Sequence, residues 1–413
     1  MTNYQRQKII FDMLSRVYFD KAFCGIALNE QIGAVPAQDK PFVTKVFYGV
    51  LEKNNYLDCA VKSLVSSSPK PKIALILKIG LYQLYFTSQP AYAVVSASVE
   101  LTKSIGKRQL SGFVNAVLKN YQNAVFPDKK NRLQYVTVFG GTPQWLSKKL
   151  LKQYGFDFTM DMLTARLPVK THIRVNTSRI TPGEFQKKYD CKDLSPRGYY
   201  VTADELQKMD GSDYIVQSLA SIYAAEFYIK DKDCGKVLDV CAAPGGKSVF
   251  MAQAGNFDVT SCDLYPHRVK LIEKYAANVG VKITALQNDA EKLRDEWKDK
   301  FDIVMCDVPC SGLGVFCSKP DVFLHRTQAM QCEIVNIQKK ILQNAACYVR
   351  PGGRLCYSTC TILHEENQDV VSEFVNTHPN FETEKCGDEG VMSLYPQTDG
   401  CDGFFVARMR RLV

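Results

Sequence analysis

The sequence predicts a multidomain chain. An all-α helical bundle comes first, then a small α+β region, then a doubly wound α/β domain. Three observations predict it. Apolar residues recur at helical spacing through residues 1–125. From about residue 216, short apolar runs alternate with helical segments. The chain has 413 residues, too many for one ordinary core, so two or three domains are expected.

The bundle is read from RQKIIFDMLSRVYF, FVTKVFYGVLEKNNYLDCAVKSLV, ALILKIGLYQLYF, VVSASVELTKSI and GFVNAVLKNY. Breaks fall at SSSPKPK (66–72) and TSQPAY (87–92), so five to seven helices are expected. Residues 130–215 are mixed. WLSKKLLKQYG reads as helix, THIRVNT (171–177) as strand, and ITPGEFQKKY as a helix with a proline start. PRGYY (196–200) reads as a turn into an edge strand. In residues 216–413 the strands are KVLDV (236–240), DVTSCD (258–263), KITALQ (282–287), DIVMCD (302–307), GRLCYS (353–358) and FFVARMR (404–410). Runs such as VLDV and DIVM are apolar on both faces, as central parallel strands are. Ligands of such a sheet lie beyond the carboxyl ends of its strands.

Composition narrows the classes. Hydrophobic content of 46% and charged content of 23% are ordinary for a soluble globular chain. No apolar run approaches the roughly 18 residues of a membrane span. MTNYQRQKIIFDML lacks a signal peptide's apolar stretch and cleavage site, so a cytoplasmic protein without membrane association is expected. The 15 cysteines are odd in number, and several fall in expected core strands. Reduced thiols acting as small hydrophobes are expected. There is no CxxC pair, and no metal site is expected. No heptad or interface stripe is visible, so a monomer is expected. Residues 1–200 carry 29 Lys+Arg against 13 Asp+Glu, while residues 201–413 carry 23 against 30. A basic front half that holds a polyanion and an acidic back half that does chemistry fit this asymmetry. Arg174, Arg179, Lys187 and Lys188 are candidate polyanion contacts; the plainer reading is a solvated face.

The chemistry centres on DVCAAPGGKS (Asp239–Ser248). Its loop, Cys241, Ala242, Ala243, Pro244, Gly245, Gly246 and Lys247, follows the first strand and opens a helix. The glycines permit close backbone approach, and the helix N-terminus favours a negative group. The spacing is neither GxxxxGK[ST] nor GxGxxG. Asp263, Asp289 and Asp307 close the next three strands. Each alone reads as a helix cap or turn residue. Together they fit ribose hydroxyls and an adenine amine, and the compact loop suits an amino-acid carboxylate. S-adenosylmethionine fits all of these. Cys310 in DVPCSG and Cys360 in YSTCT lie at the mouths of strands four and five. Singly, each reads as a buried structural cysteine. Beside a methyl donor, a thiolate can add to C6 of a cytosine and load electron density onto C5, which then takes the methyl group. Which cysteine attacks is left open by the chemistry. Asp307 is placed to bond the cytosine amine.

DVCAAPGGKS, CDVPCSGLGV, KPD (319–321), YSTCTILHEEN and DGFFVARM resemble the Sun-type RNA cytosine-C5 methyltransferases. WLSKKLLKQYG, IRVNT and IVQSLAS extend the likeness. GLYQLYF, ASVELTK and FVNAVLKNY are similar to the NusB-type RNA-binding helical domain, and that pairing resembles bacterial methyltransferases of 16S ribosomal RNA. The resemblance implies a NusB-like bundle over 1–125, a mixed RNA-binding region over 130–215, and a Rossmann-like class I methyltransferase domain over 216–413. It implies S-adenosylmethionine as methyl donor, with residues 241–247, Asp263, Asp289 and Asp307 on donor-binding positions. It implies Cys360 as nucleophile and Cys310 as the residue that assists product release. The substrate it implies is 16S ribosomal RNA or a small-subunit precursor. Lys247 and Arg268 match basic positions. Val308, the pair Cys317–Ser318 and NDA around Asp289 depart from the usual pattern. Two alternatives stand beside this reading: a related enzyme acting on transfer RNA or another ribosomal RNA, and an RNA-binding assembly factor without activity. The second predicts damage at Cys360, Asp307 or the glycine loop, and none is visible.

Overall fold

The computed structural model describes residues 1–167, 170–190, 193–195, 198–384 and 390–413. Pro196 and Arg197 of the expected PRGYY turn lie outside them. The chain forms two compact units.

The first unit is helical and covers Met1–Ala165 and Ser318–Arg326. Its helices are α1 (Asn3–Tyr18), α2 (Cys24–Ile32), α3 (Lys40–Glu52), α4 (Asn54–Leu64), α5 (Pro71–Phe86), α6 (Ala91–Ser104) and α7 (Ser111–Lys119). α8 (Arg132–Phe139), α9 (Gln144–Tyr154) and α10 (Phe156–Thr164) follow. Local signals set the ends. A capping box opens α1: the Thr2 hydroxyl accepts the Gln5 N–H, and the Gln5 side chain accepts the Thr2 N–H. Pro71 starts α5, where its fixed φ suits a first helical turn. α5 is apolar on nearly every side because it is the centre of the bundle, with Ile73 and Leu75 through Gln83 all buried. Met13, Leu14, Phe47, Val50, Leu57 and Leu118 close around it.

The second unit covers Arg166–Cys317 and Thr327–Val413. Its small antiparallel sheet has β1 (Thr171–Val175), β2 (Asp193–Ser195), β3 (Gly198–Val201) and β4 (Tyr214–Val216) in the order β2-β3-β1-β4. α11 (Pro182–Tyr189) and α12 (Ala203–Lys208) each open on a threonine capping box. α13 (Leu219–Ile229) leads into the large sheet.

The large sheet has β5 (Cys234–Asp239), β6 (Asn256–Asp263), β7 (Thr284–Gln287), β8 (Phe301–Asp307), β9 (Val349–Thr359), β10 (Phe381–Thr383), β11 (Val391–Leu394) and β12 (Phe404–Arg411). Its order is β10-β12-β9-β8-β5-β6-β7, with β11 also paired to β12. β5 through β9 run parallel, and β10 through β12 are antiparallel additions. Two faces are covered separately. On one lie α13, α14 (Gly246–Ala254) and α15 (Pro266–Val279), around Leu219, Ala224, Met251 and Val249. α16 (Val322–His325) belongs with the helical unit. On the other face lie α17 (Gln328–Ala346) and α18 (Gln368–Thr377), around Ile341, Leu342, Val370 and Phe374. The doubly wound expectation is thus met. β9 is longer than expected, because it pairs with β8 on one side and β12 on the other. β7 begins two residues later than KITALQ implied, at the sheet's edge.

Strand order reverses between β5 and β8, so the loops after these two strands diverge and leave a crevice at the carboxyl edge. No helix among the described residues is long and apolar enough to cross a membrane.

Because Ile76 is fully buried at the centre of α5, Ile76→Ala should cost about 2–5 kcal/mol of helical-unit stability. Urea unfolding followed by circular dichroism should show the midpoint falling.

Candidate active site

Every expected site residue falls on one edge of the large sheet. The loop Cys241–Gly245 joins β5 to α14. Gly245 sits at φ +108°, a left-handed conformation that side chains rarely adopt. The Ala242 N–H donates to the Cys262 carbonyl at 2.8 Å, and the Arg268 guanidinium donates to the Ala243 carbonyl at 3.2 Å. These bonds pin the loop against the end of β6. The first-turn N–H groups of α14 have no partner within their helix and favour a carboxylate. Asp239, at the end of β5, is buried beneath the loop. It accepts the Ser248 hydroxyl at 2.6 Å and the Cys241 N–H at 3.3 Å. Burial pushes its carboxyl up to about 7, against the Ser248 hydrogen bond.

Asp263 ends β6, is 2% exposed, and lies 3.4 Å from the Arg268 guanidinium. Asp289 follows β7; it accepts the Glu291 N–H at 3.1 Å and meets Lys292 at 3.1 Å. The neighbouring Asn288 amide nitrogen is buried with no hydrogen-bond partner. A buried donor left unpaired is costly, and an adenine ring nitrogen would satisfy it. The glycine loop, two acidic strand ends and this unpaired amide fit S-adenosylmethionine. Residues 241–247 would hold its amino-acid part, Asp263 its ribose, and Asn288 with Asp289 its base.

Asp307 ends β8 and is clamped. Its Oδ2 accepts the Lys247 ammonium at 2.7 Å, and its Oδ1 accepts the Ser358 hydroxyl at 2.7 Å. The Lys247 ammonium also lies 5.0 Å from the Phe404 ring centre. The carboxylate is therefore held in one orientation at the crevice mouth.

Cys310 and Cys360 are brought together. Their sulfurs are 3.2 Å apart, and the Cys310 sulfur accepts the Cys360 N–H at 3.3 Å. The adjoining Cys360 sulfur, then burial, push the Cys310 thiol well above its usual range. Behind them stands Glu366, fully buried, with burial pushing its carboxyl up.

Residues 227–410 match the family described as 16S rRNA methyltransferase RsmB/F, and residues 4–123 match the NusB family. The chain thus carries an RsmB/F-type methyltransferase domain behind a NusB-type domain. Among its relatives, the probable ribosomal RNA small subunit methyltransferase B of Bacillus subtilis (strain 168) is 29% identical, over 98% of both chains. The ribosomal RNA small subunit methyltransferase B of Klebsiella pneumoniae is 26% identical, over 91% of each. In fold, the chain resembles the crystal structure of PH0851 with a TM-score of 0.80, covering 98% of this chain and 99% of that one at 23% identity. It also resembles NSun6 from Pyrococcus horikoshii with a TM-score of 0.56, over 66% and 98%, at 20% identity. The chain is an S-adenosylmethionine-dependent methyltransferase of small-subunit ribosomal RNA.

Some expectations need correction. Arg174 is fully buried: its guanidinium donates to Gln217 and Gln253 and lies over the Phe250 ring. It supports the inside of the second unit and is out of reach of a polyanion. Lys188 is ion-paired with Asp213 at 2.8 Å, while Arg179 and Lys187 are exposed. Sequence alone did not show that KPD (319–321) lies within the helical unit. There the buried Asp321 accepts the first N–H of α2, from Cys24, at 3.0 Å. Ser358, Gln338, Glu366 and Asn367 were assigned no role from sequence. The HEEN string after Cys360 was the one available signal for two of them.

The sign of the Asp239 effect is defined. A carboxyl raised from 3.8 to about 7 binds its proton more tightly folded than unfolded, so stability falls as pH rises through that window. Relative to Asp239→Asn, the wild type should lose up to ~4 kcal/mol between about pH 4 and pH 7. Denaturant titrations of both proteins across that range would show it.

Proposed function

We propose that the protein methylates C5 of a cytosine in 16S ribosomal RNA through a covalent bond between Cys360 and C6 of the ring. The observation that carries this is the pair of thiols in contact, Sγ to Sγ at 3.2 Å, one strand away from the Lys247–Asp307 pair. S-adenosylmethionine, when bound, supplies the electrophilic methyl group. The chain's own residues do the rest. The Cys360 thiolate adds to C6, and the electrons of the C5–C6 double bond move to C5. Asp307, fixed by Lys247 and Ser358, is oriented to accept the cytosine amine and favour N3 protonation. After methyl transfer a base takes the C5 proton, its electron pair reforms the C5–C6 double bond, and the Cys360 thiolate departs. Family resemblance gives Cys310, whose sulfur lies against that of Cys360, the assisting role in release; with one charge per pair, a Cys310 that keeps its S–H leaves Cys360 as the attacking thiolate.

The target cytosine must be flipped out or unpaired to enter the crevice. The basic first 200 residues supply the phosphate grip, with the mixed region around the small sheet contributing Arg179 and Lys187. A monomer working in the cytoplasm on ribosomal RNA or a precursor particle is the simplest setting.

Labelled methyl transfer to unmodified 16S RNA tests the assignment. Cys360→Ala should abolish transfer, and Cys310→Ala should accumulate a protein–RNA adduct that survives denaturing gels. An adduct with Cys360→Ala and a dead Cys310→Ala would swap the two roles. Labelling of transfer RNA alone would replace the substrate.

Salt separates the two ligands. Raising it from about 50 to 200 mM should weaken 16S RNA binding by at least ~10-fold and leave donor binding nearly unchanged. Filter binding and calorimetry would measure the two.

A further inference from the structure

We infer that Glu366 and Asn367 are positioning residues that set the separation of the two cysteine sulfurs. This rests on the proposed chemistry for its meaning, but its geometry stands alone. The neighbours of both cysteines are tied to this one dipeptide. On the Cys310 side, the Ser311 N–H donates to Glu366 Oε2 at 2.9 Å. Gln338 Nε2 donates both to that same oxygen and to the Pro309 carbonyl, each at 3.0 Å. On the Cys360 side, the Thr361 hydroxyl reaches Glu366 Oε1 at 3.4 Å. Thr359 donates its hydroxyl to Asn367 Oδ1, and Asn367 Nδ2 donates to the Thr361 carbonyl at 3.0 Å. The Ser311 and Thr361 hydroxyls meet at 2.9 Å between the two strings. Residues 309 and 311 and residues 359 and 361 thus share one anchor. The anchor is itself fixed by the Tyr357 hydroxyl on the Glu366 carbonyl at 2.6 Å.

Stability does not account for a carboxyl at this place. Glu366 is fully buried, and among the described residues it makes no ion pair. Its donors are a backbone N–H, an amide and a hydroxyl, all uncharged. Burying a carboxyl where only uncharged groups answer it is expensive. What a carboxyl offers is two oxygens diverging toward two different loops. It also faces Cys310, where its charge adds to the rise of that thiol's pKa.

The test reads the geometry without RNA. Diamide takes two electrons and two protons from a pair of thiols, becomes the hydrazine, and leaves an S–S bond. Its rate for Cys310–Cys360, followed by peptide mass spectrometry on the full chain, reports how often the sulfurs meet. Glu366→Ala should slow this crosslink about 10-fold or more and lower kcat for methyl transfer by about 100-fold, with KM for RNA and donor within about 3-fold. Glu366→Gln keeps an acceptor for Ser311 and a donor for Thr361. It should restore most of the crosslinking rate, while the alkylation profile of Cys310 moves to lower pH. If Glu366→Ala does not fold, Gln338→Ala should still slow the crosslink, because it releases Pro309. Wild-type crosslinking and wild-type kcat in folded Glu366→Ala or Gln338→Ala overturn the inference. A slowed crosslink in a protein that methylates no RNA cytosine leaves the inference standing and removes the proposed reaction instead.

Discussion

The parallel register of β8 on β9 is the constraint on which the site depends. It sets Cys306 opposite Tyr357 and Asp307 opposite Ser358. The ladder continues one step further, with the Val308 N–H on the Ser358 carbonyl at 3.1 Å. Two chains leaving the same edge in the same direction then place Cys310 and Cys360 within contact of each other. A second backbone bond, from the Gly314 N–H to the Cys360 carbonyl at 2.9 Å, keeps them from diverging. Gly314 is needed there: a Cβ would come 2.8 Å from the Gly403 carbonyl carbon and 2.9 Å from the Cys360 oxygen. A slip of one residue in this register would turn Ser358 away from Asp307 and send one thiol to the opposite face.

Contact between the sulfurs limits what they can do together. Two thiolates 3.2 Å apart at an effective dielectric of 20 would repel by about 5 kcal/mol, equivalent to nearly 4 pKa units. The pair therefore carries one negative charge at a time. Such a pair can divide a reaction in time, with one thiol charged for attack while its neighbour keeps its proton. It is badly suited to two simultaneous nucleophiles. The Cys360 N–H on the Cys310 sulfur favours charge at Cys310, while the adjoining sulfur and burial oppose it.

The sequence made legible what depends on short spans. Helical spacing, alternation and the glycine loop yielded both folds and all twelve expected site residues at a common edge. What it did not yield comes from contacts across long spans. Ser358 clamps Asp307 across 51 residues and Lys247 does so across 60, and neither pairing follows from spacing. Arg174 sits beside exposed basic residues in sequence, yet it points into the second unit because β1 alternates and its even position faces Phe250. The KPD segment reads as part of the catalytic chain, but Asp321 is buried against the start of α2, 297 residues away in sequence. Glu366 was visible in the HEEN string. Its role was not, because it reaches Ser311, next to Cys310, from 55 residues downstream.

The uneven charge also has a physical use in a protein with two ligands of opposite sign. S-adenosylmethionine carries a sulfonium, an ammonium and a carboxylate, so it is a net cation. An edge lined by Asp263, Asp289 and Asp307, with Lys247 committed to Asp307, suits that cation and repels phosphate. A polyanion held by the same edge would compete with the donor. With a net charge of +16 in residues 1–200 and −7 in the remainder, the proposed phosphate grip would fall elsewhere. Only an uncharged base then needs to enter the acidic crevice, and a cytosine held off its backbone meets no like-charge penalty there. A phosphate grip would weaken with salt, whereas short-ranged contacts to a base in a crevice would not, so the two parts of the proposed recognition would respond differently to ionic strength.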